Sequence, residues 1–179
     1  MRILIVCVWL LAAAGCTGPN VQTTSDPTAD FTVFHTFAFT GLTDTDQGGL
    51  LNNAILRKQI EGVVTEQMTA KGLHRVGLDA RPDLLVHLWV GVKEKQQIES
   101  TGPYGPRYGW RAGYYGGGVT TYDYEEGTLV VDLAESSKNE LVWRARIVGT
   151  LESESEENMQ LVKDGVAEAF TKYPPAKKP

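Results

Sequence analysis

Chemistry in this chain would have to come from Cys16, from a cluster of aromatic and cationic side chains between Ser100 and Tyr124, or from scattered His, Asp, Glu and Ser residues. Cys16 directly follows the small-residue run Ala12-Ala13-Ala14-Gly15, which leaves its thiol open to lipid acylation or to other thiol chemistry. The Ser100–Tyr124 stretch holds six of the 7 tyrosines and seven of the 19 glycines, so ring area and backbone freedom are concentrated in one place. Its Tyr104, Arg107, Tyr108, Trp110, Arg111, Tyr114 and Tyr115 are of the types that supply large, flat contact area at low entropy cost. These residues are a candidate partner-binding loop, with rings stacking on a protein partner or a glycan. The plainer alternative is a long hairpin connection whose rings cover an exposed sheet face.

The remaining candidates read as structure. His35, His74 and His87 fall on separate elements without a cysteine partner, whereas zinc needs three or four convergent ligands. Asp132 and Arg144 suit a cross-strand ion pair better than a catalytic pair. Asp123, Glu125 and Glu126 lack the companions of a hydrolytic carboxylate pair or a calcium loop, and read as solvated charges. Ser136 and Ser137 sit in a turn without a nucleophile elbow, and Gly116-Gly117-Gly118 lacks the Lys and helix of a phosphate loop. No nucleophile, base and stabiliser can be named together, so the expectation is a non-enzyme with no catalytic residues, metal or cofactor.

The elements that must position these groups begin with a targeting segment. Met1-Arg2 gives a positive start, and Ile3 to Ala14 is an apolar run too short for the roughly 20 residues that cross a bilayer. Ala13-Ala14-Gly15-Cys16 resembles the bacterial lipobox, with Ala13 where Leu is commoner; Ala12-Ala13-Ala14 also satisfies ordinary signal-peptidase cleavage. The lipobox implies residues 1–15 as a lipoprotein signal peptide, a triply acylated Cys16, and effectively permanent membrane attachment. Thr17, rather than Asp, after the cysteine resembles the Gram-negative signal for the outer membrane, with the domain facing the periplasm. Residues 16–29 are polar and read as a flexible tether reaching up to roughly 40 Å.

Residues 30–174 then read as a single α+β domain, and 175–179 as a loose tail. The two cysteines, Cys7 and Cys16, leave this domain no internal disulfide. Net charge is -5, or about -6 once Arg2 is removed with the leader, and no basic cluster offers itself to nucleic acid. A strand is expected over Phe31–Thr40, a helix over Leu50–Lys71 ended by Gly72, a short strand near Leu73–Gly77 and a clear strand over Asp83–Gln96. The helix stripe includes Ile55, Leu56, Ile60, Val63, Val64 and Met68. Val119–Leu133 and Glu140–Leu151 form a hairpin, with Leu133 set opposite Leu141 and Val131 opposite Trp143. Ser153 and Glu156 are placed as a capping box for a second helix that buries Met159, Val162, Val166, Ala169, Phe170 and Tyr173. The fold is a two-layer sandwich, a largely antiparallel sheet with two amphipathic helices on one face, in the order β-α-β-β-β-β-α.

Several segments in this order resemble one family of bacterial lipoproteins, catalogued as domain of unknown function 4136. They are Asp30-Phe31 with His35-Thr36-Phe37-Ala38-Phe39, Lys71-Gly72-Leu73, Arg81-Pro82-Asp83-Leu84-Leu85-Val86, Glu126 to Asp132, Leu141-Val142-Trp143-Arg144 and Tyr173-Pro174-Pro175. The resemblance implies an envelope lipoprotein of this fold and no particular activity. The expected function is a non-enzymatic binding or scaffold module lipid-anchored to the outer membrane. The alternative is a periplasmic carrier of a small ligand, an acyl chain or glycan, held between helices and sheet.

Overall fold

In a computed structural model of the chain, residues 18–44, 54–101, 118–153 and 155–175 are described. They form one mixed, mostly antiparallel sheet of six strands with two helices packed against it. The elements are β1 (Asn20–Ser25), β2 (Thr36–Asp44), α1 (Ala54–Ala70), β3 (His74–Arg75), β4 (Leu84–Thr101), β5 (Gly118–Glu135), β6 (Glu140–Leu151) and α2 (Ser155–Thr171). Their order across the sheet is β1-β6-β5-β4-β2-β3, antiparallel from β1 to β4 and parallel from β4 through β2 to β3. The α+β class and two-layer plan follow the sequence reading, but the chain order gains a strand at its start.

Period-two alternation builds the buried face. Leu84, Val86 and Leu88 on β4, Leu129, Val131 and Leu133 on β5, and Trp143, Ala145 and Ile147 on β6 are all buried. The helices cover them with Ile60, Val64 and Met68 from α1 and Val166, Ala169 and Phe170 from α2. Each large side chain buried in this way contributes about 1.5–3 kcal/mol. Aromatic rings close one end of the layer: Trp143 lies 5.1 Å from Phe170 and 5.5 Å from Tyr173, which meets Phe31 at 5.7 Å. This cluster ties the end of α2 to the start of the domain.

The exit of α1 follows the expected route. Gly72 has φ +87°, Leu73 N–H donates to the Met68 carbonyl at 3.1 Å and Gly72 N–H to Thr69 at 2.9 Å, a Schellman closure. The Leu73 side chain is buried with Met68 in the core.

Four expectations need correction. Residues 16–29 are not a tether throughout: Asn20–Ser25 is β1, paired along its length with Val148–Trp143 of β6. Its residues alternate between exposed and half-buried, and backbone hydrogen bonds supply what its side chains lack. The first expected strand begins instead with a 3₁₀ turn, Phe31–Val33, where the Asp30 side chain accepts from Thr32 N–H, and extends only from Thr36. The β5–β6 register is offset by two residues from that expected, with Leu133 opposite Trp143, Val131 opposite Ala145 and Leu129 opposite Ile147. Two steps make the offset: at the turn Glu135 pairs with Glu140, one residue from the expected register, and Ala134 pairs with Leu141, so Val142 is the extra residue of a bulge that adds the second, buried beside Trp143. The faces keep their expected composition because the shift is even.

Finally, Ile55 is 68% exposed and lies outside the buried stripe of α1, whose first described residue is Ala54. At the start of α2, Asn158 brackets the chain by accepting from Glu152 N–H and donating to Glu152 carbonyl, both at 2.8 Å. Leu50 and Leu51 of the expected first helix and residues 176–179 of the tail lie outside the described residues.

Candidate functional site

β4 and β5 outrun the sheet. Pairing of β2 with β4 ends at Asp44–Val90 and that of β5 with β6 at Glu125–Leu151, while the β4–β5 ladder continues to Thr101–Gly118. The last pairs, from Lys95–Tyr124 onward, form a two-stranded ribbon about 24 Å long at ~3.4 Å per residue. Its two sides differ. Glu94 faces Glu125 and Gln96 faces Asp123 on one side; Lys95 faces Tyr124 and Gln97 faces Tyr122 on the other. The ribbon leads into the candidate loop. Tyr104, Arg107, Tyr108, Trp110, Arg111, Tyr114 and Tyr115 lie outside the described residues, as does the lipidation candidate Cys16. Of the tyrosines between Ser100 and Tyr124, Tyr122 and Tyr124 are described; Tyr122 is 54% exposed on the ribbon and Tyr124 is half-buried.

The sheet face away from the helices holds the polar candidates. Asp132 lies directly opposite Arg144, as suits a cross-strand ion pair, and accepts from Arg144 Nε and Nη2 at 2.6 Å each. Its carboxylate is buried beneath the guanidinium, and the bond to Asp132 raises the Arg144 pKa. His87 is next in the same row, with Nδ1 2.7 Å from Thr40 Oγ1. His35 and His74 are exposed elsewhere, so the three histidines are not brought together. Among the described residues, no group of three His, Cys, Asp or Glu could hold a metal.

The acidic candidates separate as well. Glu126 pairs with Lys95 at 2.6 Å, while Asp123 and Glu125 are exposed on the other side of the ribbon. Ser137 Oγ donates to Glu135 at 2.7 Å and Ser136 N–H to the Asp83 carbonyl at 2.9 Å, both within the turn architecture.

The structure has two concave features, of which the carrier alternative anticipated the first and sequence reasoning missed the second. One is an apolar cavity of about 170 Å³ between helices and sheet, lined by Leu56, Ile60, Val90, Leu129, Met159 and Val162. The other is a trough on the open sheet face around Gly91. The signal for the trough was the alternation of β4, which puts His87, Trp89, Gly91 and Lys93 on one side; its walls needed β5 and β6 to complete them.

The fold and these features define a small α+β sandwich domain with an extended hairpin. The chain belongs to the family described as "Domain of unknown function (DUF4136)", whose model matches residues 21–175. A DUF4136 family protein from Bacteroides thetaiotaomicron is similar at TM-score 0.56 and 22% identity, over 88% of this chain and 96% of that one. A PDZ domain protein from Parabacteroides distasonis matches at TM-score 0.56 and 17% identity, over 90% of this chain but 37% of its own length. A PelC dodecamer from Paraburkholderia phytofirmans matches at TM-score 0.50 and 14% identity, over 85% of this chain and 96% of that one. At these identities the likeness is one of fold. Comparison with curated proteins gave no match.

Proposed function

We propose that this chain is a non-enzymatic binding or scaffold module of the cell envelope, anchored to the outer membrane by lipid on Cys16 and facing the periplasm. The observation that carries the binding role is the β4–β5 ribbon, which projects past the sheet with both outer edges unpaired among the described residues. An isolated two-stranded hairpin is marginal in water, and its edges can accept another chain. The Tyr, Trp and Arg content of residues 102–117 at its tip suits an envelope protein or a glycan as partner. The small-residue run before Cys16 supports the anchor.

Deleting Gly102 to Gly117 tests the binding role. The variant is expected to keep its Tm within about 2–4 °C, a change of about 1 kcal/mol, and to lose co-purification with envelope partners. Identical pull-downs with and without the loop rule it out as the interface.

The apolar cavity favours a second reading, a carrier of an apolar group. A cavity of about 150 Å³ with such walls admits a benzene-sized molecule, so this one suits the end of an acyl chain better than a glycan. Native mass spectrometry of the purified protein would show a retained adduct; a mass equal to that of the bare chain removes this reading.

A further inference from the structure

The open sheet face carries a second candidate binding site, separate from the ribbon tip and the lipid anchor. Gly91 on β4 is opposite Thr128 on β5, which is opposite Val148 on β6, so one cross-strand row is low. The row on one side is Trp89, Val130 and Arg146; the row on the other begins with Lys93 and Glu126. The result is a trough of about 520 Å³ crossing the strands. The two flanking rows are four residues apart along β4, or about 14 Å at ~3.4 Å per residue. A glycine inside a strand is unfavourable for packing and marks places where a ligand or another backbone comes close.

The chemistry of the walls is specific. Trp89 is 37% exposed in the middle of a sheet face, where an indole offers a flat apolar surface and an N–H donor. The two ion pairs of this face, Arg144–Asp132 and Lys95–Glu126, are both closed at 2.6 Å. Arg146 and Lys93, both exposed, have no carboxylate partner among the described residues. Among the described residues, one cation without a carboxylate partner thus stands on each side of one aromatic-walled trough, in a chain of net charge -5.

The geometry points to an acidic saccharide as the occupant: a sugar ring lies over Gly91 with its C–H face on Trp89, and its carboxylate meets Arg146 or Lys93. Arg offers paired donors that match a carboxylate. Charge complementarity selects this occupant over others. A protein interface needs about 800 Å² per partner with an apolar centre, which a single exposed Trp between cations does not provide. Docking on anionic lipid calls for about four to eight clustered Lys and Arg, and two are free here.

The test uses the full mature chain in a neutral detergent, with 5-fluorotryptophan in place of tryptophan. Hexagalacturonate, neutral maltohexaose and phosphatidylglycerol added to the micelles are compared by fluorine NMR. Trp89→Phe assigns the Trp89 resonance, and buried Trp143 reports on the fold. Hexagalacturonate is expected to shift the Trp89 signal with a Kd of about 0.1–1 mM, while maltohexaose up to about 10 mM leaves it unmoved. Trp89→Ala and Arg146→Gln are expected to weaken binding, followed by calorimetry, by about tenfold each with the Trp143 signal unchanged. Binding that survives deletion of residues 102–117 separates this site from the ribbon-tip reading. The proposal is overturned if no saccharide moves Trp89, if maltohexaose binds equally, if the shift appears on Trp110 instead, or if the lipid alone moves Trp89.

Discussion

Thr36 and Asp83 hold each other across the parallel β2–β4 pair: Thr36 N–H and Oγ1 donate to Asp83 Oδ2 at 2.9 and 2.8 Å, and Asp83 N–H donates back to Thr36 Oγ1 at 3.0 Å. His35 N–H adds a further bond to the same oxygen at 2.9 Å. Two strands 47 positions apart are thereby started in register, with Phe37 opposite Leu84. This gives a physical reason for a Thr before the aromatic run and an Asp after Pro82.

The clasp makes stability depend on acid. The His35 backbone bond, with those of Thr36, holds the Asp83 pKa below its ordinary value of 3.8. Its contribution is therefore fully present above about pH 4 and is lost as the pH falls through the depressed folded-state value. Asp83→Ala is expected to cost about 2 kcal/mol at pH 7. Asp83→Asn should make the decline of urea-unfolding stability below pH 4 shallower; an unchanged acid limb contradicts this role.

Asp132 and Arg144 make a second prediction. The carboxylate is 6% exposed, so removing Arg144 strands a buried charge, while removing both leaves none. A double-mutant cycle with Asp132→Ala and Arg144→Ala should give a coupling of about 1–2 kcal/mol by denaturant unfolding. Additive single effects would mean that the pair is an exposed contact of little worth.

β1 gives a third. A chain shortened to begin at Asp26 loses the ladder to β6 and bares that edge. It is expected to be about 3 kcal/mol less stable and to melt about 6–12 °C lower, with a tendency to self-associate. Removing only residues 16–19 should have little effect on Tm. Equal melting of the two truncations would return residues 20–25 to the status of a tether.

How much was legible follows from where the information lies. Alternation in β4 to β6 and the 3–4 spacing of Val162, Val166, Ala169 and Phe170 dictate the layers, because burial of those stripes has few solutions. β1 escaped notice because Val21 is its one apolar side chain against the core; the rest of its stability is backbone pairing, to which composition is blind. The β5–β6 register escaped because the turn pairing Glu135–Glu140 and the bulge at Val142 each shift it by one, and a face argument fixes register only to an even number. Trp89, Gly91 and Lys93 were visible as a mixed strand face, but the trough exists only once Thr128 and Arg146 stand beside them.

The anchor makes a fourth prediction. Cys16→Ala should give protein that is soluble in the periplasm or retained as uncleaved precursor, without incorporated fatty acid. Metabolic labelling with an alkynyl fatty acid and fractionation would show this; membrane attachment and label unchanged in the variant would remove the anchor from the account.

On the proposed function, the β4–β5 ribbon meets a partner in the envelope. The most direct test of this is photocrosslinking in intact cells, with a photoreactive residue at Tyr122 on the ribbon or at Lys58, exposed on α1. Adducts of defined mass from position 122 and none from position 58 are predicted. Adducts from position 58 alone, or from neither, would contradict it.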